Sequence, residues 1–336
     1  MRASLVILAL AMAPGVVRAD LFSDPQPLAL ALSAPFRAVF AKRAKPLYQD
    51  AELKFRGANG AETSVPLRIR QRGKSRAQVC TFPPLLLNFR KSDLVSTPFE
   101  GEDRLKLVTH CKPGSEYDQY LLLEYLGYRV YGLLTDMSLR VRQVEMTYVD
   151  NGRNPVKHRA LLLEDEQRFG ERKSVKVFEG PAVDRTRYDP AALALVDVFE
   201  YFMGNTDWSS TAAPPGATCC HNVVPYVRED GRMVPVPYDF DATGLVNAPY
   251  AKPDARLKIR TVRQRLYRGH CRSMAELEPA FARFRERRAD ILALFDRSSG
   301  LTANVAAGAR AYVEQFYAVL EDPQRRDAEF MINCAR

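Results

Sequence analysis

Acidic and amide side chains recur in three short stretches near the middle of the chain, beside apolar residues of the kind that form strands. An unpaired carboxylate is very costly to bury, so carboxylates in such surroundings need a cation, a metal ion or strong hydrogen-bond donors. The residues are Asp207 in Gly-Asn-Thr-Asp-Trp, Asn222 in His-Asn-Val-Val, and Asp239 and Asp241 in Val-Pro-Tyr-Asp-Phe-Asp.

These residue types suit metal-assisted phosphoryl transfer. Mg²⁺ prefers hard oxygen donors such as Asp and Asn, and the reaction also needs a carboxylate base that meets the acceptor hydroxyl. If residues 238–241 are extended, Asp239 and Asp241 point to one face. Two carboxylates so near each other need a cation to stay ionised. Asp207, Asn222, Asp239 and Asp241 are therefore of the right types to supply a base and metal ligands.

The same residues also have purely structural explanations. Asn205 and Asp207 match a helix cap or a turn, and Asp239 matches the cap of a following helix. His221 is typical of a loop or core histidine, and Trp208, the only tryptophan, of packing. Residue types alone leave both explanations open.

The elements that must position these residues fall into two halves. In the first half, apolar and polar residues alternate with period two, which indicates strands, and Asn59-Gly60 is a hairpin signal. Helical spacing is clearest over residues 116–134, in the first half, and an apolar, helix-like stretch covers residues 28–40. The second half is mostly helical, with helices predicted over residues 190–203, 274–295 and 303–320.

Two groups of motifs carry a family resemblance. Arg-Gln-Arg-Gly-Lys-Ser at residues 70–75, with the strand at residues 82–89, resembles a loop and strand of the spore coat protein H family of atypical kinases. The stretches at residues 204–207, Asn222 and residues 237–241 resemble that family's Gly-Asn-x-Asp, Asn and Trp-Asp-x-Asp elements. They are also similar to the Asn-x-Asp, Asn and Tyr-Asp elements of HipA-type kinases.

The resemblance, which covers residues 65–245, implies an α+β, bilobal, protein-kinase-like fold. An antiparallel β-rich N-lobe would span residues 20–165, and a mainly helical C-lobe with the metal site would span residues 166–336. ATP and Mg²⁺ or Mn²⁺ would be the cofactors. Asp207 would match the catalytic-loop aspartate, with Asn222 and Asp239 as metal ligands and Asp241 as a second or supporting one.

The resemblance further implies a nucleotide site. Backbone N–H groups and cations of a loop over the phosphates would oppose their charge. Lys106 is the candidate phosphate-contacting lysine and Glu124 its helix partner, while Glu164 falls where the connector between lobes would pass the nucleotide base. An exposed strand lysine and a surface helix glutamate are the alternatives for the first two, and a basic hairpin tip is the alternative for the loop. The loop consists of Arg72, Gly73, Lys74 and Ser75.

The chain also departs from this pattern. Fourteen residues separate Asp207 from Asn222, against about four in the ordinary protein-kinase catalytic loop. The insertion carries Pro-Pro-Gly at residues 214–216 and the pair Cys219 and Cys220. ATP is scarce outside the bacterial cytoplasm. A catalytically degenerate kinase-like binding protein of the cell envelope and a metal-dependent phosphoester hydrolase are therefore the alternative functions.

Residues 1–19 have the pattern of a cleavable signal peptide: a basic start, an apolar run and small residues before Asp20. This predicts a secreted or periplasmic protein without a transmembrane anchor. The six cysteines then favour disulfides: Cys80 with Cys111, and Cys219 or Cys220 with Cys271.

The net charge of +9 fits acidic partners, although scattered arginines also reflect general composition. We expect a protein or glycan acceptor, with an anionic component of the envelope as a further partner and no nucleic acid.

Overall fold

The computed structural model describes residues 20–41, 46–57, 60–332 and 334–335. The predicted signal peptide lies outside these residues, as does Asn59 of the predicted hairpin turn. The strands on either side of that turn pair as an antiparallel hairpin, which confirms the hairpin itself.

Seven strands in the first half close into a barrel in the order β1-β2-β3-β4-β5-β7-β6. Neighbours pair antiparallel, except that β6 lies parallel to β1 with Leu28 opposite Val144. Alternate residues of the strands, such as Leu30 and Leu32, fill the interior. The strands are β1 (Leu28–Ala34), β2 (Gln49–Arg56), β3 (Glu62–Gln71), β4 (Leu85–Phe89), β5 (Arg104–Val108), β6 (Val141–Asp150) and β7 (Arg153–Leu163).

This barrel corrects the predicted fold. The chain is α+β, as predicted, but its first half is a closed barrel of mixed strand direction and not the antiparallel sheet of a bilobal, kinase-like N-lobe. The prediction of a helix-like stretch at residues 28–40 was wrong for residues 28–34, which form the strand that closes the barrel. Leucine and alanine favour helices in isolation, but tertiary pairing overrides that preference.

A short helix, α1 (Phe36–Val39), follows β1, and α2 (Arg76–Val79) follows β3. The long helix α3 (Ser115–Leu134) crosses between β5 and β6, as predicted. The later region adds a three-stranded sheet in the order β10-β9-β8. Its strands are β8 (Lys176–Val177), β9 (Val223–Val227) and β10 (Met233–Pro237), and its helices are α4 (Glu166–Lys173), α5 (Pro190–Met203), α6 (Met274–Glu286), α7 (Arg288–Asp296), α8 (Ala303–Glu321) and α9 (Pro323–Ile332).

Helix α5 is the centre of this later region. Its residues from Leu193 to Met203 are all buried, as expected for a mostly apolar helix, although they include the carboxylates Asp197 and Glu200. Asp189 caps its first turn by accepting from the Ala192 N–H at 2.9 Å. The helix ends at Gly204, whose φ of +65° is left-handed and whose added Cβ would meet the Tyr312 hydroxyl. This fixed end determines where Asp207 emerges.

Three disulfides join Cys80 to Cys111, Cys219 to Cys220, and Cys271 to Cys334. The first pairing confirms the prediction, but the predicted bond from Cys219 or Cys220 to Cys271 is wrong. Cys271 lies beside the C-terminal residues because its N–H donates to the Ala335 carbonyl at 3.0 Å, a contact with no signal in the sequence. Among the described helices, none has the length and apolar character needed to cross a membrane.

Gly204→Ala should lower the free energy of unfolding by about 1–3 kcal/mol, because it combines a strained φ with a steric contact. Gly308→Ala is the matched control: Gly308 lies within α8 and an added Cβ meets nothing within 4 Å. That control should gain about 0.5–1 kcal/mol from helix propensity. Urea unfolding of both variants measures the difference, and equal effects would contradict the tight end of α5.

Candidate active site

Asp207 lies in the loop that follows α5, and polar contacts fix this loop from behind. The Asn205 side chain accepts from the Asp207 N–H at 2.9 Å and donates to the carboxylate of Glu200 at 2.9 Å. Glu200 is fully buried, and burial raises its pKa to about 8. Protonated Glu200 therefore supports the loop from below without a charge. The Asp207 side chain, 58% exposed, points outward.

His221 holds one oxygen of Asp207. Its Nε2 lies 2.7 Å from Asp207 Oδ1. This hydrogen bond is the main cause of a raised His221 pKa, while Asp239 adds to the shift and Lys74 opposes it. The sequence suggested only a loop or core histidine here. Its position directly before Asn222 was the available clue, because a side chain there can reach other residues near Asn222.

Asn222 and Asp239 are brought together by the β9–β10 hairpin. Asn222 precedes β9 and Asp239 follows β10, and the strands pair so that Val223 faces Pro237. The Asn222 amide donates to the Asp207 carbonyl at 2.7 Å. Both residues have left-handed φ values, +54° and +65°, which cost energy in residues other than glycine and cluster at functional sites. Tyr128 accepts from the Asp239 N–H at 2.9 Å.

Arg76 binds the acidic residues behind Asp239, and the sequence analysis missed it. Its guanidinium lies 3.1 Å from Glu124, 2.7 Å from Asp239 and 2.7 Å from Asp241. Glu124 was predicted to pair with Lys106, so that pairing is wrong. Arg76 directly follows the predicted phosphate loop, and its position there was the available clue.

The charges in this cluster do not balance. Burial lowers the pKa of Arg76, but the surrounding carboxylates outweigh it and raise that pKa well above its usual value. Burial raises the pKa of Glu124 to about 8 and that of Asp241 to about 6, because one guanidinium does not neutralise three carboxylates. Burial by itself raises the pKa of Asp239, but the nearby cations outweigh it and hold that pKa below the usual value.

Those cations come from the barrel. Arg72 and Lys106 both stabilise the Asp239 carboxylate, after the larger effect of Arg76. Lys106 forms an ion pair with Glu166 at the start of α4 and lies 4.9 Å from the ring of Tyr238. Its actual partner is therefore Glu166, a residue not singled out from the sequence.

The rest of the predicted phosphate loop lies near Asp239 and His221. The Arg72 N–H donates to the Pro84 carbonyl at 2.8 Å, which ties the loop to the strand that follows. Gly73 has a φ of +83° with open space around it. Ser75 begins α2 without a side-chain capping bond. The loop therefore presents Arg72 and Lys74 toward Asp239 and His221.

Glu164 is not part of this cluster. It is buried and accepts hydrogen bonds from Arg140 and Arg172 at 2.7–3.0 Å. Both of its oxygens are used in these ion pairs, so its predicted contact with a nucleotide base stays a prediction.

The donor set offers little for a metal ion on its own. Among the residues that the structure describes, no group of three or more His, Cys, Asp or Glu side chains is placed to hold one. Asp241 is engaged by Arg76 and Tyr250. Arg76 uses Oδ1 of Asp239, and Asp239 follows Tyr238, whose N–H donates to the Asn222 carbonyl at 3.0 Å. Mg²⁺ often binds through one or two protein oxygens together with substrate phosphates, and this pair fits that mode.

No protein-family model matches this chain, and no curated protein matches it either. The resemblance to the spore coat protein H family therefore stays a prediction that depends on the motifs alone.

Arg76→Ala should lower the free energy of unfolding by about 3–5 kcal/mol, because it leaves buried carboxylates without their counter-ion. Arg256→Ala is the control, since Arg256 is exposed and its ion pair with Asp254 lies at the surface; it should change stability little. Chemical denaturation measures both. A small effect of Arg76→Ala would show that the carboxylates are neutralised in another way.

Glu124→Gln should flatten the dependence of stability on pH. The folded pKa of about 8 lies above the usual 4.5, so the folded state retains a proton that the unfolded state loses within this window. The wild type therefore loses stability relative to the Gln variant as pH rises from about 4.5 to about 8, and the difference is constant above that range. Melting temperatures of both proteins across this range test the assignment, and parallel curves would contradict it.

Proposed function

We propose that the protein is a magnesium-dependent phosphotransferase that transfers a phosphoryl group to a hydroxyl of a protein or glycan outside the cytoplasm. The observation that carries the proposal is the meeting of Asp207, Asn222 and Asp239 beneath cationic side chains of the barrel. Three disulfides favour an oxidising compartment. The sequence of residues 1–19 supports export in the same way.

Asp207 has the geometry of a general base. His221 holds Oδ1 at 2.7 Å, while Oδ2 lies 3.4 Å from the Asn222 amide and the side chain as a whole is exposed. An acceptor hydroxyl that reaches Oδ2 would give up its proton there as it attacks the phosphoryl group. Because the loop is fixed by Asn205 and Glu200, the base needs little reorganisation.

Arg72, Lys74 and Lys106 are suited to neutralise phosphate charge, which is the main task of a protein in phosphoryl transfer. Asp239 and Asn222 would hold Mg²⁺, which would share the negative charge of the phosphates. Arg76 keeps Asp239 in position. ATP is the donor that the motifs imply, and it stays part of the proposal.

The proposal does not require a protein-kinase fold. Chemistry resides in a site and not in a fold, and the same catalytic arrangement recurs on unrelated scaffolds. A closed barrel provides the cations here through the loop after β3 and through β5, and the later region provides the oxygen donors.

One observation favours a second candidate, a non-catalytic binding protein for anions. Arg76 already occupies the position between Glu124, Asp239 and Asp241 where a metal ion would otherwise balance the charge. With that position filled, the exposed cations alone would bind an anionic partner.

Thermal melting with Mg²⁺ and ATP, together and separately, distinguishes these candidates because a ligand that binds the folded state raises the melting temperature. The phosphotransferase should shift with metal plus nucleotide. A shift with metal alone would indicate a phosphoester hydrolase, and a shift with ATP that does not need Mg²⁺ would favour the anion-binding protein.

Asp207→Asn should keep the combined shift but lower transfer of radiolabelled phosphate by about 10²–10⁴-fold, because only the base is lost. Asp239→Asn should lose the Mg²⁺-dependent shift. Asp290→Asn, an exposed change in α7 with the same loss of charge, is the control and should retain both properties. Full turnover by the Asp207 variant would rule out its role as the base.

A further inference from the structure

A strongly basic segment, residues 252–260, borders the candidate active site and has no part in the mechanism above. It carries four cations and one carboxylate, that of Asp254. Arg256 is 89% exposed and pairs with Asp254 at 2.5 Å. Lys252, Lys258 and Arg260 are exposed as well.

Both flanks of the basic segment contact the site. On one side, Tyr250 hydrogen-bonds to the Asp241 carboxylate. On the other side, the Arg268 guanidinium donates to the carbonyl of Thr206, the residue directly before Asp207. Arg268 is also within electrostatic reach of Asp254, in the first half of the segment, and of Asp207. That half of the segment therefore lies near the base side of the site.

The neighbouring cations are already used inside the fold. Arg263 donates to the Gly244 carbonyl, and Arg265 donates to the carbonyls of Phe202 and Tyr312. In contrast, within the part of the chain that the structure describes, Lys252, Lys258 and Arg260 have no ion pair with a carboxylate. Their side chains are exposed to solvent.

We propose that the basic segment docks an acidic polypeptide and presents a hydroxyl side chain of that polypeptide to Asp207. The docking step stands on the charges and position of the segment, and the transfer step rests on the proposed function. An acidic partner would be drawn to this edge by long-range attraction as well as by direct contacts.

The pattern of exposure favours a polypeptide over other polyanions. From Arg256 to Arg260, exposed cations alternate with the half-buried apolar residues Leu257 and Ile259. Carboxylates interspersed with apolar side chains match such a surface, whereas a phosphate or sulfate backbone has no apolar groups for it.

The test measures binding of a fluorescein-labelled peptide in which glutamates alternate with leucines around one serine. Fluorescence anisotropy with the mature chain should show binding that weakens as salt rises from about 50 mM to about 300 mM. The variant Lys252→Gln, Lys258→Gln, Arg260→Gln should bind at least about tenfold more weakly. A matched control, Arg153→Gln, Lys157→Gln, Arg297→Gln, removes the same charge from exposed positions elsewhere and should bind within about twofold of wild type.

Equal weakening in both triple variants would overturn the proposal, because net charge alone would then explain binding. Tighter binding to vesicles with anionic lipids, or to a sulfated polysaccharide, than to the peptide would also overturn it. Asp207→Asn should bind the peptide at least as tightly as wild type. If the peptide binds through the segment but its serine is not phosphorylated, the docking surface stands and the proposed transfer fails.

Discussion

The site depends on one buried cation. The Arg76 guanidinium lies among Glu124, Asp239 and Asp241, which come from α3 and from the stretch after β10. Without that guanidinium, carboxylates from distant parts of the chain would repel one another in surroundings with little water. Their close approach, and with it the position of Asp239 beside Asn222, is possible because Arg76 is there.

The same arrangement divides the acidic residues into two groups with different uses. Asp241 and Glu124 face inward and serve to hold Arg76, and burial raises the pKa of both. Asp239 and Asp207 face the barrel loop and solvent, with side chains 36% and 58% exposed. Residues of one chemical type are thus enclosed or left accessible according to their surroundings, a division that residue identity does not reveal.

Local features of the fold could be predicted from the sequence because they depend on residues that are close along the chain. The hairpin of β2 and β3, helices α3 and α5, and the bond from Cys80 to Cys111 are of this kind. Barrel closure is different, because β1 pairs with β6 through Leu28 and Val144, more than a hundred positions apart in the sequence. Pairing at that distance is set by packing of the whole molecule, and the leucine-rich sequence of β1 favoured a helix locally.

The partners of charged residues were hidden for the same reason. Glu124 and Lys106 were expected to bind each other, yet each binds a different partner, Arg76 and Glu166 respectively. The sequence shows which side chains need a counter-ion but not which of several nearby ions supplies it. His221 illustrates the reverse situation, where an ordinary-looking residue acquires a role through a contact with Asp207.

The disulfide between Cys80 and Cys111 has a consequence for the newly made chain. Cys80 directly follows α2, the helix that begins with Arg76, and Cys111 lies just beyond β5. Oxidation of these thiols adds a covalent tether four residues from Arg76, beside the ionic contacts and the backbone hydrogen bonds of α2. The oxidation state of the two sulfurs is thereby coupled to how firmly the acidic cluster is held.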